Sequence, residues 1–282
     1  MTNKINEAAT AEFQSKGYTV LPAFYDAATA VAPIQEGIRE IIALMCKKYE
    51  VEAPTATTFE AMTIAYPRLI AKNRSWGGEV YDAVKQIPAF MRLVSNAAND
   101  EVFSALRPGS VPGLAAGGYG IRIDNPGEEK FRAQWHQEFP SQLRSVDGVV
   151  FWTPLLPVTV EMGPVQIAEG SHSEGIVPVY EDDANAGKTG AYALHLDRVE
   201  ERLARYQHVA PLTKPGDLVL MDFLTLHQSG HNISAIPRWS IQFRYFNYAD
   251  PLGIDISWKG SFAAGVKFAD VLPQLVAKGP SV

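Results

Sequence analysis

His136 and Glu138 are the residues of this chain whose types and spacing most clearly permit chemistry. They stand two apart in the stretch QWHQE (134–138), and on an extended backbone residues two apart point to the same side. An imidazole and a carboxylate would then face one point, which a helix would not allow. Such a pair is the first half of the two-histidine, one-carboxylate set that binds Fe(II) and leaves positions open for a cosubstrate and O₂.

The second histidine has two candidates, His227 and His231, in LTLHQSGHNISAIPRW. His227 directly follows the strand-like LVLMDFLTL, where a rigid sheet could aim it at the first pair, whereas His231 lies beyond a glycine and is expected in a turn. Arg238 follows His227 by eleven residues, and its planar guanidinium suits bidentate binding of a carboxylate. A metal triad with an arginine describes a 2-oxoglutarate site, with Arg244 as the second candidate for the carboxylate.

The register of these residues resembles that of the phytanoyl-CoA dioxygenase family of Fe(II)/2-oxoglutarate-dependent oxygenases. The family pattern is HxD or HxE followed by HxSxxNxSxxxR. Here the distal motif reads His227, Ser229, Asn232, Ser234 and Arg238. The segments GPVQIAEGSHSEG (163–175) and EFQSKGYTVLPAF (12–24) are similar to the family's Gly-Pro strand segment and N-terminal strand, so the resemblance spans most of residues 12–248.

The resemblance implies a role for each matching residue. Iron would be held by His136, Glu138 and His227, the C5 carboxylate of 2-oxoglutarate by Arg238, and the cosubstrate would be lined by Ser229, Gln137 and Trp152. The implied cofactors are Fe(II), 2-oxoglutarate as cosubstrate and O₂, with ascorbate as an optional stimulant.

Glu138 departs from the family, which more often has aspartate at this position. Halogenating relatives carry Ala or Gly there, so a retained carboxylate favours oxygenation over halogenation. The implied reaction is oxidation, most simply hydroxylation, of an unactivated C–H bond of a small-molecule metabolite or natural product, with release of succinate and CO₂.

The elements that must position these residues change in type along the chain. Apolar residues at three- and four-residue steps predict helices over 26–49, 58–72 and 78–106, with Asp26 as a cap and a turn at NRSWGG (73–78). One strand, 18–24, precedes them. Later apolar runs are strand-length and bounded by turn residues, with one charged helical segment at 195–206. The candidate strands are 119–123, 147–155, 165–168, 217–223 and 239–248.

Because helices do not alternate with these strands, an antiparallel sandwich or jelly roll is expected rather than a parallel sheet. The fold prediction is therefore mainly β with flanking α-helices, which agrees with the family's cupin-like double-stranded β-helix. We expect a single domain over 1–282. Its predicted parts are helical support at 26–106, a jelly-roll core at 108–250 and a C-terminal tail at 251–282.

The substrate-covering segments are expected where the chain is least family-like, at 49–75 and 181–207. Glu181, Asp182 and Asp183 in the second segment slightly favour a neutral or cationic substrate over an acyl-CoA. The end of the tail, 255–282, is expected either to cover the pocket mouth or to form a dimer contact.

Composition excludes several classes of protein. The net charge of −6 and the absence of a Lys/Arg-rich block argue against a nucleic-acid partner. No apolar run reaches the roughly 18 residues of a membrane helix, and the N-terminus lacks a signal-peptide pattern. The single cysteine, Cys46, is consistent with a reducing compartment. We therefore expect a cytoplasmic enzyme of small molecules, as a monomer or homodimer, that contacts neither nucleic acid nor membrane.

Two other functions use the same ligands. One is a cupin-like metal-dependent isomerase or hydrolase, such as a zinc enzyme, that does not use 2-oxoglutarate. The other is a jelly-roll binding module with a structural metal. Neither requires Arg238, so that residue discriminates among the three at the level of sequence.

Overall fold

The computed structural model describes residues 5–181 and 194–279. Helices occupy the N-terminal part, as predicted, and Asp26 accepts a hydrogen bond from the Thr29 amide at the start of a π-helical turn, Ala27–Val31. A second π-helical turn, Ala61–Ala65, joins α3 to α4. The helices are α1 Glu7–Lys16, α2 Ala32–Lys48, α3 Thr58–Glu60, α4 Tyr66–Lys72, α5 Arg74–Val84, α6 Pro88–Val94, α7 Ala97–Leu106, α8 Glu138–Gln142, α9 Val199–Leu203, α10 Pro251–Asp255, α11 Ser261–Ala264 and α12 Phe268–Val271.

The predicted turn at 73–78 is wrong, because helix α5 begins inside it. The Asn73 side chain accepts a hydrogen bond from the Ser75 amide and caps the helix. A Cβ on Gly77 would lie 2.8 Å from atoms of both Ile70 and Arg74. This glycine therefore permits close packing of α5 on α4 and does not break the helix.

The strand predictions hold with shifts of one or two residues at most ends, and five further short strands appear. The segment 12–24, expected to resemble the family's N-terminal strand, is only partly a strand. Residues 12–16 end helix α1, and the strand that follows is shorter than the predicted 18–24. The strands are β1 Tyr18–Leu21, β2 Pro112–Leu114, β3 Gly120–Asp124, β4 Val149–Pro154, β5 Val165–Ala168, β6 Val179–Tyr180, β7 His195–Leu196, β8 His208–Val209, β9 Leu218–Asp222, β10 His227–Ser229 and β11 Arg238–Asn247.

Two antiparallel sheets form the core. The major sheet runs β1-β9-β4-β11-β2, with β3 also paired to β11, and the minor sheet runs β10-β5-β8. The strands β6 and β7 form a separate pair. These antiparallel sheets with flanking helices confirm the predicted cupin-like double-stranded β-helix.

The two faces of the major sheet carry different neighbours. Phe151 and Phe243 belong to the same buried cluster as Ile34 and Ile38 of α2, so the outer face packs on the helices. On the inner face, Trp152 and other side chains pack in a second cluster with residues of β5. Each large apolar side chain buried this way stabilises the fold by about 1.5–3 kcal/mol. The inner face is therefore the one that can line a pocket.

The C-terminal tail packs beside helix α8. Leu143, which follows α8, forms a backbone bridge with Gly260. The rings of Phe139 and Phe268 lie 6.4 Å apart, edge to face.

The charged segment 195–206 is helical only over α9. Asp182 and Asp183 lie outside the described residues, and no described helix has both the length and the apolar character to cross a bilayer.

Candidate metal and cosubstrate site

His136 and His227 lie opposite each other on antiparallel backbone. Each donates its amide hydrogen to the other's carbonyl oxygen at 3.0 Å, which brings the two ring centroids within 4.3 Å. His227 opens β10, and its partner in β5 is Ile167. His231, the other candidate, is exposed and its Nδ1 lies 2.7 Å from Glu129. The structure therefore brings His227, and not His231, to His136.

Glu138 completes the group, but only Gln137 between it and His136 has the extended backbone that the sequence predicts. Gln137 is extended, with φ −97° and ψ 147°, but Glu138 is already the first residue of helix α8. One extended residue between them is enough to turn both side chains to the same side. The Oε2 atom of Glu138 lies 3.8 Å from Nε2 of His136 and 3.6 Å from Nε2 of His227.

Backbone carbonyls fix which imidazole nitrogens face Glu138. Nδ1 of His136 lies 2.7 Å from the Gln134 carbonyl oxygen, and Nδ1 of His227 lies 2.9 Å from that of Thr225. A carbonyl oxygen only accepts, so each Nδ1 carries the proton and the neutral ring presents the Nε2 lone pair. Burial and the nearby His227 lower the pKa of His136, which favours this neutral form.

The three residues fit a divalent iron ion. Among the described residues they form a group of buried donors within 4.8 Å of one another. Oε2 of Glu138 is buried without a hydrogen-bond partner, which is costly unless a cation binds there. Burial alone would raise the pKa of Glu138, but the nearby Arg244 guanidinium holds it well below the usual value. Two imidazoles and one ionised carboxylate are the donor set of non-haem Fe(II) sites.

Arg238 is a buried cation with unused hydrogen-bonding capacity. Its Nη2 donates to Oδ2 of Asp124 at 2.8 Å and to Oγ of Ser229 at 3.1 Å. Its Nε and Nη1 are buried and have no partner. Because an unsatisfied buried guanidinium is costly, these two nitrogens point to an anionic ligand that the protein binds here.

One cavity of about 670 Å³ contains both features. The metal triad and Arg238 line it, together with Ser229 and Trp152, both of which the sequence placed at the cosubstrate. Tyr66 and residues of α5 line it as well. The cavity therefore extends well beyond the triad.

The structure does not support the expectation that Gln137 lines the cosubstrate. Gln137 does not line this cavity, because its amide is committed to backbone groups of two loops. Nε2 donates to the carbonyl oxygens of Gly175 and Leu224 at 2.8 and 2.7 Å, and Oε1 accepts from the Val177 amide at 2.8 Å. The residue holds the loops around the site together.

Sequence reasoning missed Asp124 and Gln142. Asp124 fixes the guanidinium of Arg238, and Gln142 contacts Glu138 at the end of α8. Alternation along β11 could have indicated part of this arrangement, because Arg238, Gln242 and Arg244 share one strand face and all line the cavity. Nothing in the sequence pairs Asp124 with Arg238, which is 114 residues away.

Solved structures of low sequence identity share this fold. EctD from S. alaskensis, solved with 2-oxoglutarate and 5-hydroxyectoine, has a TM-score of 0.59 at 21% identity, covering 100% of this chain and 91% of that one. The non-haem α-ketoglutarate-dependent carbocyclase SnoK from nogalamycin biosynthesis has a TM-score of 0.56 at 16% identity, covering 87% and 86%. The epimerase SnoN, in complex with Fe³⁺, α-ketoglutarate and nogalamycin RO, has a TM-score of 0.55 at 18% identity, covering 86% and 83%.

No curated protein matches this chain in sequence, but a family model does. Residues 13–240, which include the metal triad and Arg238, match the model of the phytanoyl-CoA dioxygenase family. The chain belongs to that family of Fe(II)- and 2-oxoglutarate-dependent oxygenases, and is a 2-oxoglutarate-dependent non-haem iron dioxygenase.

Proposed function

We propose that this dioxygenase hydroxylates an unactivated C–H bond of a small-molecule metabolite or natural product, with release of succinate and CO₂. One observation carries the proposal. Glu138, whose unpartnered Oε2 lies near two imidazole Nε2 atoms, and Arg238, whose Nε and Nη1 are unpartnered, line the same cavity. The first is a cation site and the second an anion site, as Fe(II) and a dicarboxylate require.

Residues around the cavity have separate roles in this reaction. Arg238, held by Asp124 and Ser229, binds the remote carboxylate of 2-oxoglutarate and so orients its oxo acid end toward the triad. Bound iron supplies the activation of O₂ that couples oxidation of 2-oxoglutarate to oxidation of the substrate. Val150 and Trp152 give the cavity an apolar wall that limits access of water to the reacting centre.

The cavity and the relatives support a small molecule as substrate. About 670 Å³ is within the range of small-ligand pockets. The EctD structure contains 5-hydroxyectoine and the SnoN structure contains nogalamycin RO, so this fold accommodates small molecules of different sizes. We further propose that the protein acts in the cytoplasm as a monomer or homodimer, without nucleic-acid or membrane partners.

The position of Arg238 also weighs against a zinc isomerase or hydrolase on the same ligands. Such an enzyme has no need of a buried guanidinium with two unpartnered nitrogens in the same cavity as the triad. A structural metal site would not need the cavity.

Succinate formation from 2-oxoglutarate tests the proposal. The chain is loaded anaerobically with Fe(II), exposed to air with 2-oxoglutarate, and assayed alone and with a broad panel of small metabolites. We expect succinate to form, to increase with a substrate of the panel, and to disappear in His136→Ala, which loses the iron. An iron-loaded protein that makes no succinate with any compound would overturn the proposal, as would full activity in His136→Ala.

A further inference from the structure

The second oxygen of Glu138 is held by two side chains that the reaction itself does not require. Oε1 accepts a hydrogen bond from Nε2 of Gln142 at 3.0 Å and one from Nε of Arg244 at 3.0 Å. All three side chains are buried. One carboxylate oxygen is thus fully engaged by the protein, while Oε2 faces the imidazoles without a partner.

Each donor is itself fixed. Gln142 lies four residues after Glu138 on α8, so one turn of helix brings its amide beside the carboxylate. Arg244 lies on the cavity-facing side of β11, where Nη1 donates to the Gly118 carbonyl oxygen at 3.2 Å and Nη2 to Oε1 of Gln242 at 3.1 Å. A Cβ on Gly118 would lie 3.0 Å from Oε1 of Gln142, so the glycine leaves room for this arrangement.

We propose that Arg244 and Gln142 are positioning residues, which hold Glu138 through Oε1 and so present Oε2 alone to the iron. The inference rests on the proposed function, since it assumes that the triad binds iron. It explains how the chain uses glutamate where its family more often has aspartate. Glutamate has one more rotatable bond, and two donors on Oε1 remove the freedom that the extra bond adds.

The contacts of Arg244 separate this role from binding of 2-oxoglutarate. Nε, Nη1 and Nη2 of Arg244 each have a protein partner, whereas Arg238 has two buried nitrogens without one. All three nitrogens of Arg244 are therefore held by protein groups, and Arg238 is the arginine with whole nitrogens left for the cosubstrate. The Arg244 guanidinium lies against Oε1 of Glu138 at 3.0 Å and is the counter-charge of that carboxylate.

The test measures Fe(II) affinity by anaerobic calorimetry, first without 2-oxoglutarate. We expect Arg244→Met and Gln142→Met each to weaken Fe(II) binding by roughly 10- to 100-fold, the usual effect of removing a partner of a metal ligand. Arg244→Lys keeps one charged donor and should recover part of the loss. Arg39→Met is the control, because it removes an arginine that pairs with Glu36 on α2, away from the cavity, and should leave the affinity unchanged.

A double-mutant cycle with Glu138→Asp distinguishes positioning from a general loss of structure. Aspartate withdraws the carboxylate by about one bond length, ~1.5 Å, from Arg244. Adding Arg244→Met to Glu138→Asp should then change Fe(II) affinity by less than roughly threefold. Thermal melting of each metal-free variant shows that it is folded.

Three outcomes would overturn the inference. Fe(II) affinity could be unchanged in folded Arg244→Met and Gln142→Met, the two substitutions at Arg244 and Glu138 could act additively, or Arg244→Met could weaken only the binding of 2-oxoglutarate. Failure of the proposed function looks different, because the wild-type chain itself would then not bind Fe(II) or would make no succinate.

Discussion

Two carboxylates near the cavity, the buried Glu138 and the part-buried Asp124, have different uses, as their hydrogen bonds show. Asp124 has both oxygens occupied, since Nε of Arg122 lies 2.9 Å from each and Arg238 contacts Oδ2. Glu138 has one occupied oxygen and one free. Asp124 is therefore a counterion that orients arginines, while Glu138 retains an oxygen for a cation. The same reasoning identifies Arg238 as the anion-binding arginine.

At the residue scale, we predict that Arg238→Lys weakens 2-oxoglutarate binding. Lysine keeps the charge but replaces the planar guanidinium by a single ammonium nitrogen, so the dissociation constant should rise by roughly 10- to 100-fold. Calorimetric titration with 2-oxoglutarate of the protein loaded anaerobically with Fe(II) measures this.

Fe(II) affinity in the absence of 2-oxoglutarate serves as the internal control for Arg238→Lys and should not change. A wild-type dissociation constant for 2-oxoglutarate in this variant would show that Arg238 does not bind the cosubstrate.

Strand β11 is the element that connects the metal site to the rest of the protein. Its outward-facing Trp239 and Phe243 pack with the helices, and Nε1 of Trp239 donates to the Met62 carbonyl oxygen at 3.1 Å. Its inward-facing Arg238 and Arg244 hold the cosubstrate and Glu138 sides of the cavity. The helical layer thus supports the strand that carries both arginines.

At the element scale, we predict that Gly163→Ala strongly destabilises the minor sheet. Gly163 has φ +66° and precedes β5, the strand that pairs with β10 and so positions His227. A Cβ there would lie 2.5 Å from the His231 carbonyl oxygen, which is backbone and cannot rotate away. Left-handed strain and the clash together should lower the free energy of unfolding by roughly 2–4 kcal/mol, measured by urea denaturation.

Gly109→Ala is the matched control for that substitution. Gly109 also has a positive φ, +82°, but a Cβ there meets nothing within 4 Å. It should cost only the backbone strain, about 1 kcal/mol. If the two variants lost the same free energy of unfolding, the contact with residues 230–231 would not contribute to the destabilisation.

At the scale of the whole molecule, stability depends on buried charges that remain paired. Burial alone would raise the pKa of Asp124, but Arg122 and Arg238 lower it from 3.8 to about 2. Between those values the unfolded chain binds more protons than the folded one, so stability falls as the pH falls. The ionised carboxylate contributes roughly 2 kcal/mol above pH 4, and this contribution is lost as the pH approaches 2.

We therefore predict that Asp124→Asn lowers stability at pH 7 and flattens its dependence on pH between about 4 and 2. The asparagine removes the anion that faces the buried Arg238 and the part-buried Arg122, and it has no carboxyl group to titrate. Urea denaturation at a series of pH values measures both effects. If the slope below pH 4 were as steep in Asp124→Asn as in the wild type, the acid sensitivity would come from other carboxyl groups.

Much of the site could be predicted from local rules. His136 and Glu138 are two residues apart, and they face the same point because the intervening Gln137 is extended. The alternation of side chains along β11 places Arg238 and Arg244 on one face. Apolar periodicity indicated the helical stretch from α2 to α7, but not helix α1 or the short helices after β11. The turn expected at 73–78 failed because the sequence does not show what packs against Gly77, and there close packing of two helices decides the conformation.

The sequence by itself determined the donor types, the strand-forming stretches and the family. Only the tertiary structure decided that Asp124 holds Arg238, that Gln137 faces loops and not the cavity, and that Arg244 and Gln142 hold Glu138. The physical reason is the range of the interactions. Periodicity and capping act over a few residues, whereas the contact between Arg244 and Glu138 joins residues 106 apart and depends on how the strands pair across the sheet.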